Sequence, residues 1–158
     1  MTKLSYIPLP TDEVRALQNG GLDAYGHAPE HHISDGDGNP CRHCLSNIAA
    51  GDEFLVLSYR PFASEQPYAE QGPIFLHAME CEAYVRHHEL PEMIKSRAGL
   101  LLRGYGDNDR IVYGTGQFVA PEEIEAAARN ILATKGVAYV HARSATNNCY
   151  QLRIELMT

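Results

Sequence analysis

The sequence predicts an α+β fold, a single domain over residues 1–158 with a mainly antiparallel sheet and about three helices. Three stretches carry that expectation. Residues Glu53–Tyr59 are dense in Phe, Leu and Val, the composition of a strand. Tyr150, Leu152, Ile154 and Leu156 alternate with Gln151, Arg153 and Glu155, the period-two pattern of an antiparallel strand with one buried face. Pro121, followed by Glu122 and Glu123, opens a helix whose apolar positions Ile124, Ala127, Ala128, Ile131 and Leu132 recur at helical spacing.

The other elements follow in chain order. Thr11 before Asp12 and Glu13 marks a helix start and Gly20-Gly21 a stop, which predicts a short helix over residues 12–19. Residues 26–40, rich in Gly, Pro, Asp and His, read as loop, with a brief strand at residues 31–34. The near-continuous apolarity of Glu53–Tyr59 predicts burial on both faces, and Arg60-Pro61-Phe62 ends that strand. A loop over residues 63–72 leads to a short strand at residues 74–77 and a helix over residues 80–88. Residues 99–105 and 110–119 read as two strands joined at Gly106-Asp107-Asn108-Asp109, a hairpin signal. Gly136 stops the Pro121 helix, which should pack on one face of the sheet, and residues 137–143 form the strand before Tyr150–Leu156.

At 158 residues the chain suits one domain. A chain of that size buries roughly 68–70% of its unfolded surface, so it needs no metal or disulfide merely to fold. The net charge of -7 argues against nucleic acid or an anionic membrane as a broad partner. Pro8 and Pro10 interrupt the N-terminal stretch, which opens no apolar run of signal-peptide length. No stretch approaches the ~20 apolar residues that span a bilayer. The expectation is a soluble cytoplasmic protein, with homo-oligomerisation left open. In that compartment thiols stay reduced, so Cys-x-x-Cys points to metal or catalysis before a structural disulfide.

Two short blocks concentrate the sulfur and imidazole. Cys41-Arg42-His43-Cys44 and His77-Ala78-Met79-Glu80-Cys81 offer Cys41, Cys44, His77 and Cys81, the number of ligands that a closed tetrahedral zinc site requires. The turn material Gly38-Asn39-Pro40 aims the first pair at one point, and a helix at Glu80 would place Cys81 in its first turn, where the dipole favours thiolate. Against this, 32 residues separate Cys44 from His77, more than in a zinc ribbon, and Leu45 stands where a knuckle often has glycine. The competing readings are buried apolar thiols and a Cys41/Cys44 redox pair, with His43 as a neighbouring imidazolium. A loop before the pair and Gly51 after it disfavour a thioredoxin-like context.

Other motifs weigh less. Asp35-Gly36-Asp37-Gly38-Asn39 imitates a calcium loop, but Pro40 and Ser46 occupy the positions of its glycine and bidentate glutamate, so a solvated turn is the better account. Gly104-x-Gly106 and Gly114-x-Gly116 open no helices and make no dinucleotide fingerprint. His87 and His88 end the helix read over residues 80–88, where the dipole accounts for them. Tyr139, His141 and Arg143 share one face of their strand and could bind an anion or do acid–base work. Burial statistics favour an exposed strand face over that site. Arg60, Tyr68 and Tyr113 are strand-end or loop residues that could join such a pocket. Cys149 reads as a core residue beside the last strand, or as a fifth ligand, through sulfur.

Four blocks carry a resemblance: residues 40–45, 57–62 (LSYRPF), 68–78 (YAEQGPIFLHA) and 139–150 (YVHARSATNNCY). On them the chain resembles an uncharacterised bacterial family, one of the numbered families of domains of unknown function. The blocks run through most of the chain. The resemblance implies a small bacterial cytoplasmic protein and supplies no catalytic residue.

Three functional expectations result. The first is a structural zinc site at Cys41, Cys44, His77 and Cys81 that fixes the loop over residues 27–44 against the sheet. The second is a metal-free small-molecule enzyme or binding domain using Arg60, Tyr68, His141 and Arg143. The third is a thiol redox protein using Cys41 and Cys44.

Overall fold

The alternation in β8 (Tyr150–Leu156) buries Tyr150, Leu152 and Ile154, and this strand is an interior member of a five-stranded sheet. It lies between β1 (Leu4–Ile7) and β7 (Tyr139–Ser144); β7 pairs with β5 (Leu100–Tyr105), and β6 (Gln117–Val119) closes the edge, every pair antiparallel. A second antiparallel sheet, in the order of its strands along the chain, contains β2 (Glu30–Ile33), β3 (Glu53–Tyr59) and β4 (Gly72–His77). The computed structural model describes residues 2–157. Its three helices are α1 (Thr11–Gln18), the one-turn α2 (Glu92–Lys95) and α3 (Ile124–Leu132), the last entered through a 3-10 turn at Pro121–Glu123. The fold is α+β, as the sequence predicts. Among the described residues no helix is long and apolar enough to cross a membrane.

Each sheet has its own core. The apolar stripe of α3 (Ile124, Ala128, Ile131) packs with Leu100, Leu102, Val140 and Leu152 of the five-stranded sheet. Gly104 permits this approach: a Cβ there would stand 2.7 Å from Ile131 Cγ2. Val14 and Leu17 of α1 pack with Leu55, Leu57, Ile74 and Leu76 of the three-stranded sheet. Tyr150 belongs to this second core although it starts β8, so the two sheets meet at that end of the strand.

Four sequence expectations are corrected. Residues 80–88 form no helix. Their backbone is taken by other elements: the Cys81 carbonyl accepts from Arg15 Nη2 (2.6 Å), Tyr84 N–H donates to the His43 carbonyl (3.0 Å), and the His87 carbonyl accepts from Tyr6 N–H (2.7 Å). Met79 and Val85 are exposed, so no apolar stripe holds a helix there. His87 and His88 therefore cap nothing; their rings bond the carbonyls of Tyr84 and Leu4. Second, only Gln117–Val119 of the strand read over residues 110–119 pairs as a strand. The chain leaves the sheet after the Tyr105–Ile111 bridge, turns at Gly114 (φ 89°), and Thr115 Oγ1 accepts from Gly104 N–H (2.9 Å). Third, β3 is covered unevenly: on one face Leu55 and Leu57 are buried, while on the other Phe54 is buried and Val56 and Ser58 are half-buried. Fourth, the Tyr139/His141/Arg143 face is not exposed. These residues are 2%, 1% and 4% exposed, because the β3–β4 connection folds across them with Phe62 and Glu70.

Candidate metal centre

The turn over residues 40–45 is closed by its own backbone. Cys41 N–H donates to the Ser46 carbonyl (2.9 Å), and Leu45 N–H to the Cys41 carbonyl (3.0 Å). Leu45 adopts φ 55°, the left-handed conformation that glycine would take at this position. That conformation costs a side-chain-bearing residue about 1–2 kcal/mol. Burial of the Leu45 side chain in the core of the five-stranded sheet offsets it. The turn docks on β4 through Arg42 N–H, which donates to the Phe75 carbonyl (3.1 Å), and through a parallel bridge between Cys41 and Phe75. His77 ends β4. Gln18 Nε2 at the end of α1 donates to the His77 and Met79 carbonyls (2.9 and 3.0 Å), and with Arg15 bends the chain so that Cys81 returns toward the turn.

These constraints bring the four sequence-predicted ligands together. One donor atom each from Cys41, Cys44, His77 and Cys81 lies within 4.8 Å of the other three, a cluster able to hold a metal ion. Cys41 Sγ is 3.9 Å from Cys81 Sγ, and Cys44 Sγ is 3.5 Å from His77 Nδ1. His77 N–H also points at Cys41 Sγ (3.5 Å). Cys81 reaches this position from an irregular segment, not from a helix N-terminus.

The electrostatics are those of donors sharing protons. Hydrogen bonds from Cys44 and then Cys81 hold the Cys41 thiol far below the usual thiol range, against burial. The same partnership pushes the Cys81 thiol up, with Cys41 the largest cause. Hydrogen bonds to Cys41 and Cys44 raise the His77 imidazole to about 10. Three sulfurs and an imidazole at this spacing are satisfied either by distributing protons among them or by one cation.

His43 backs the cluster from outside. It is fully buried, with Nδ1 3.2 Å from Cys81 Sγ and Nε2 2.9 Å from Thr11 Oγ1. Burial is the main cause lowering its pKa, so it stands here as neutral imidazole and not as the imidazolium that the sequence suggests. A neutral ring with its proton on Nδ1 donates to the sulfur and accepts from the Thr11 hydroxyl, which turns it toward Cys81. Arg42, the other residue inside the turn, points the opposite way and is 3% exposed. Burial lowers its pKa to about 10, so it remains a cation at neutral pH.

The remaining candidate residues lie elsewhere. His141 is flanked in register by Arg103 of β5 and Arg153 of β8, a cation–imidazole–cation row across three strands. The rings of Phe62, Tyr105, Tyr139 and Tyr150 stand 4.8–5.1 Å from its own. Burial, then Arg143, Arg153 and Arg103, push its pKa well below the ordinary histidine value. Arg143 Nη1 donates to the Asn148 carbonyl (3.1 Å) and stands 3.7 Å from Glu70 Oε2, while Glu70 Oε1 accepts from Arg103 Nη2 (2.8 Å). Both nitrogens of His141, and Nε and Nη2 of Arg143, are buried without a protein partner. Arg60 pairs with exposed Glu65 (3.1 Å) and lines a cleft of 420 Å³ with His141; Arg143 lines a neighbouring cleft of 220 Å³. Tyr68 lines neither; its hydroxyl bonds that of Tyr113 (3.0 Å). Cys149 is half-buried outside the metal cluster and outside the cores.

Sequence reasoning missed Glu70, Arg103 and Arg153, which complete the β7 environment. Arg103 and Arg153 are visible as strand positions, but only the register of β5, β7 and β8 places both beside His141.

The family model described as protein of unknown function (DUF1203) matches residues 38–155, a span that contains the four clustered donors as well as His141 and Arg143. No curated protein and no solved structure matches the chain.

Proposed function

The chain belongs to the DUF1203 family, and we propose that it is an α+β domain stapled by a structural zinc ion at Cys41, Cys44, His77 and Cys81. The observation that carries this is the spacing of the donors. For Zn–S of about 2.3 Å and Zn–N of about 2.0 Å, a tetrahedron has an S–S edge of about 3.8 Å and an S–N edge of about 3.5 Å. The Cys41–Cys81 and Cys44–His77 separations are 3.9 and 3.5 Å. Thiolate and imidazole donors suit zinc and not magnesium or calcium. Four protein donors leave no open coordination position, so the ion holds structure and does not activate water. It ties the turn at residues 40–45 and the irregular segment after β4 to each other, and through Tyr6 and His87 that segment reaches β1 of the other sheet.

The thiol redox reading competes for the same atoms. A Cys41–Cys44 disulfide would remove two of the four donors; four free thiols, three of them converging with His77, favour the metal. The test is elemental analysis of protein purified without added metal. One zinc per chain, with Cys41, Cys44 and Cys81 slow to react until a chelator is added, is the expected result. Metal-free protein with all four thiols freely reactive would sink the proposal.

A second reading has its own support. The clefts over β7, with Arg60, His141 and Arg143, suit a metal-free small-molecule site, and the four unpartnered nitrogens of His141 and Arg143 favour it. Buried polar atoms without partners are rare in folded proteins, and a bound ligand is one way to satisfy them. Nitrogen NMR of the His141 ring against a small-molecule library tests it; a ring signal unmoved by every compound counts against this site.

A further inference from the structure

Arg42 is a buried cation that no carboxylate pairs with; among the groups that favour its charge are the sulfurs of Cys149 and Cys41. Its Nε donates to the Tyr150 carbonyl (2.8 Å) and its Nη1 to the Pro40 carbonyl (2.7 Å), and the guanidinium stands 5.6 Å from the Phe75 ring centre. Neutral carbonyls supply geometry but no countercharge. Arg97 approaches from the segment after α2; it is half-buried and donates through Nη1 to Gln151 Oε1 (3.0 Å). Among the described residues neither arginine forms an ion pair, although ten other Lys, Arg and His side chains do.

Both arginines line one cleft of 480 Å³ between the two sheets, together with Ser144, Thr146 and Gln151. Asp37, exposed at the rim, is the only acid among the described residues that lines it. Two like charges on a shared cavity raise each other's energy, and burial of one of them adds a desolvation cost. An oxyanion removes both penalties, because guanidiniums bind carboxylate and phosphoryl oxygens with charge-assisted hydrogen bonds. The cleft lies within the roughly 300–1,000 Å³ typical of small-molecule sites, so it has room for an organic body beyond the anionic group.

We propose that this cleft binds a small organic anion through a carboxylate or phosphoryl group held by Arg42 and Arg97. Ser144 and Thr146 offer hydroxyls for the rest of the ligand. Backbone bonds close the turn that aims the Arg42 side chain, and the proposed zinc, on the ligands that flank Arg42, would stiffen that turn further. The Cys41–Cys44 turn would then serve two sites, with His43 facing the metal and Arg42 facing the anion.

The test is calorimetric titration of the zinc-loaded protein with inorganic phosphate and with malonate, against sodium chloride at matched ionic strength. The expected result is saturable binding of at least one probe, and which one binds separates a phosphoryl from a carboxylate ligand. Arg97→Gln, at a half-buried position, should weaken binding about tenfold or more, the loss of one charge-assisted contact. Arg42→Lys should weaken it similarly while keeping the cation. Zinc content and far-UV circular dichroism are recorded for every sample. Folded, zinc-loaded protein that binds neither probe beyond the chloride control overturns the anion site and leaves the metal reading intact. Wild-type affinity in folded Arg97→Gln also overturns it. Saturable binding that is lost in Arg97→Gln supports the anion site, and if the folded protein takes up no zinc on loading while this holds, the anion site stands and the zinc reading falls.

Discussion

The Cys/His cluster and the β7 face both bury polar atoms, yet they do so in opposite ways. In the cluster, Cys41, Cys44, His77 and Cys81 aim their donors at one point, and His43 adds a further bond from behind. On β7, His141 and Arg143 are more deeply buried than Cys44, His77 and Cys81, but four of their nitrogens meet no protein acceptor or donor. One region is organised around a centre that the side chains define by themselves. The other is organised around a row of positive groups, Arg103, His141 and Arg153, with Glu70 as the acid that bridges Arg103 and Arg143. Convergent donors mark a site by geometry. Orphaned donors mark one by energy, because each costs about 1–3 kcal/mol until something satisfies it.

The contrast can be broken most forcefully at the cluster. Cys81→Ser should abolish stoichiometric zinc and lower unfolding free energy by about 3–5 kcal/mol, the range for removing one member of a buried charged set. Urea unfolding together with metal analysis reads both effects. If stability falls with zinc retained, the staple is not the source of the loss. On β7, Glu70→Gln should cost about 2 kcal/mol, since Arg103 and Arg143 lose their shared carboxylate. An unchanged denaturation midpoint would mean that solvent already screens those arginines.

His141→Phe tests the buried imidazole by pH. The folded-state pKa of His141 is depressed, so below about pH 6.5 the unfolded chain binds a proton that the folded chain refuses. The stability tied to this group is present above that pH and is lost as pH falls, by up to about 1.4 kcal/mol per pH unit. The phenylalanine variant, seated among four aromatic rings, should be near wild type at neutral pH and should lose less between pH 6 and pH 4, roughly the window below the unfolded-state value. Identical acid limbs in the two proteins would rule out a buried neutral His141. The smallest effect is expected at Thr11→Val, which removes the hydroxyl from His43 Nε2: about 1 kcal/mol, with faster zinc transfer to a chelator. Unchanged transfer kinetics would leave His43 no part in tuning Cys81.

What could be read from the residues followed the range of the interaction. Local signals succeeded: the Pro121 helix, the alternation of Tyr150–Leu156 and the Cys-x-x-Cys turn depend on neighbours in sequence. The segment at residues 80–88 misleads because its composition tolerates a helix, while Arg15, His43 and Tyr6, far away in sequence, claim its backbone groups. The pairing of β1 with β8 is equally hidden, since it joins opposite ends of the chain. The burial of His141 depends on a loop, residues 60–71, whose composition reads as exposed. Leu45 reads as a flaw in the knuckle; in three dimensions it takes the glycine conformation and carries a core side chain as well.

Arg42 also joins the two regions. Its backbone bonds Leu9 and Phe75, its side chain bonds the Tyr150 carbonyl, and the Tyr150 ring lies 4.8 Å from that of His141. A zinc ion bound at the Cys41–Cys44 turn would use part of its binding energy to order the wall of the clefts. Thermodynamic linkage makes the coupling mutual: whatever factor zinc adds to the affinity for an anion, the anion must add to the affinity for zinc. Metal retention under chelator challenge would then report on cleft occupancy, a reading of the ligand made from the far side of the turn.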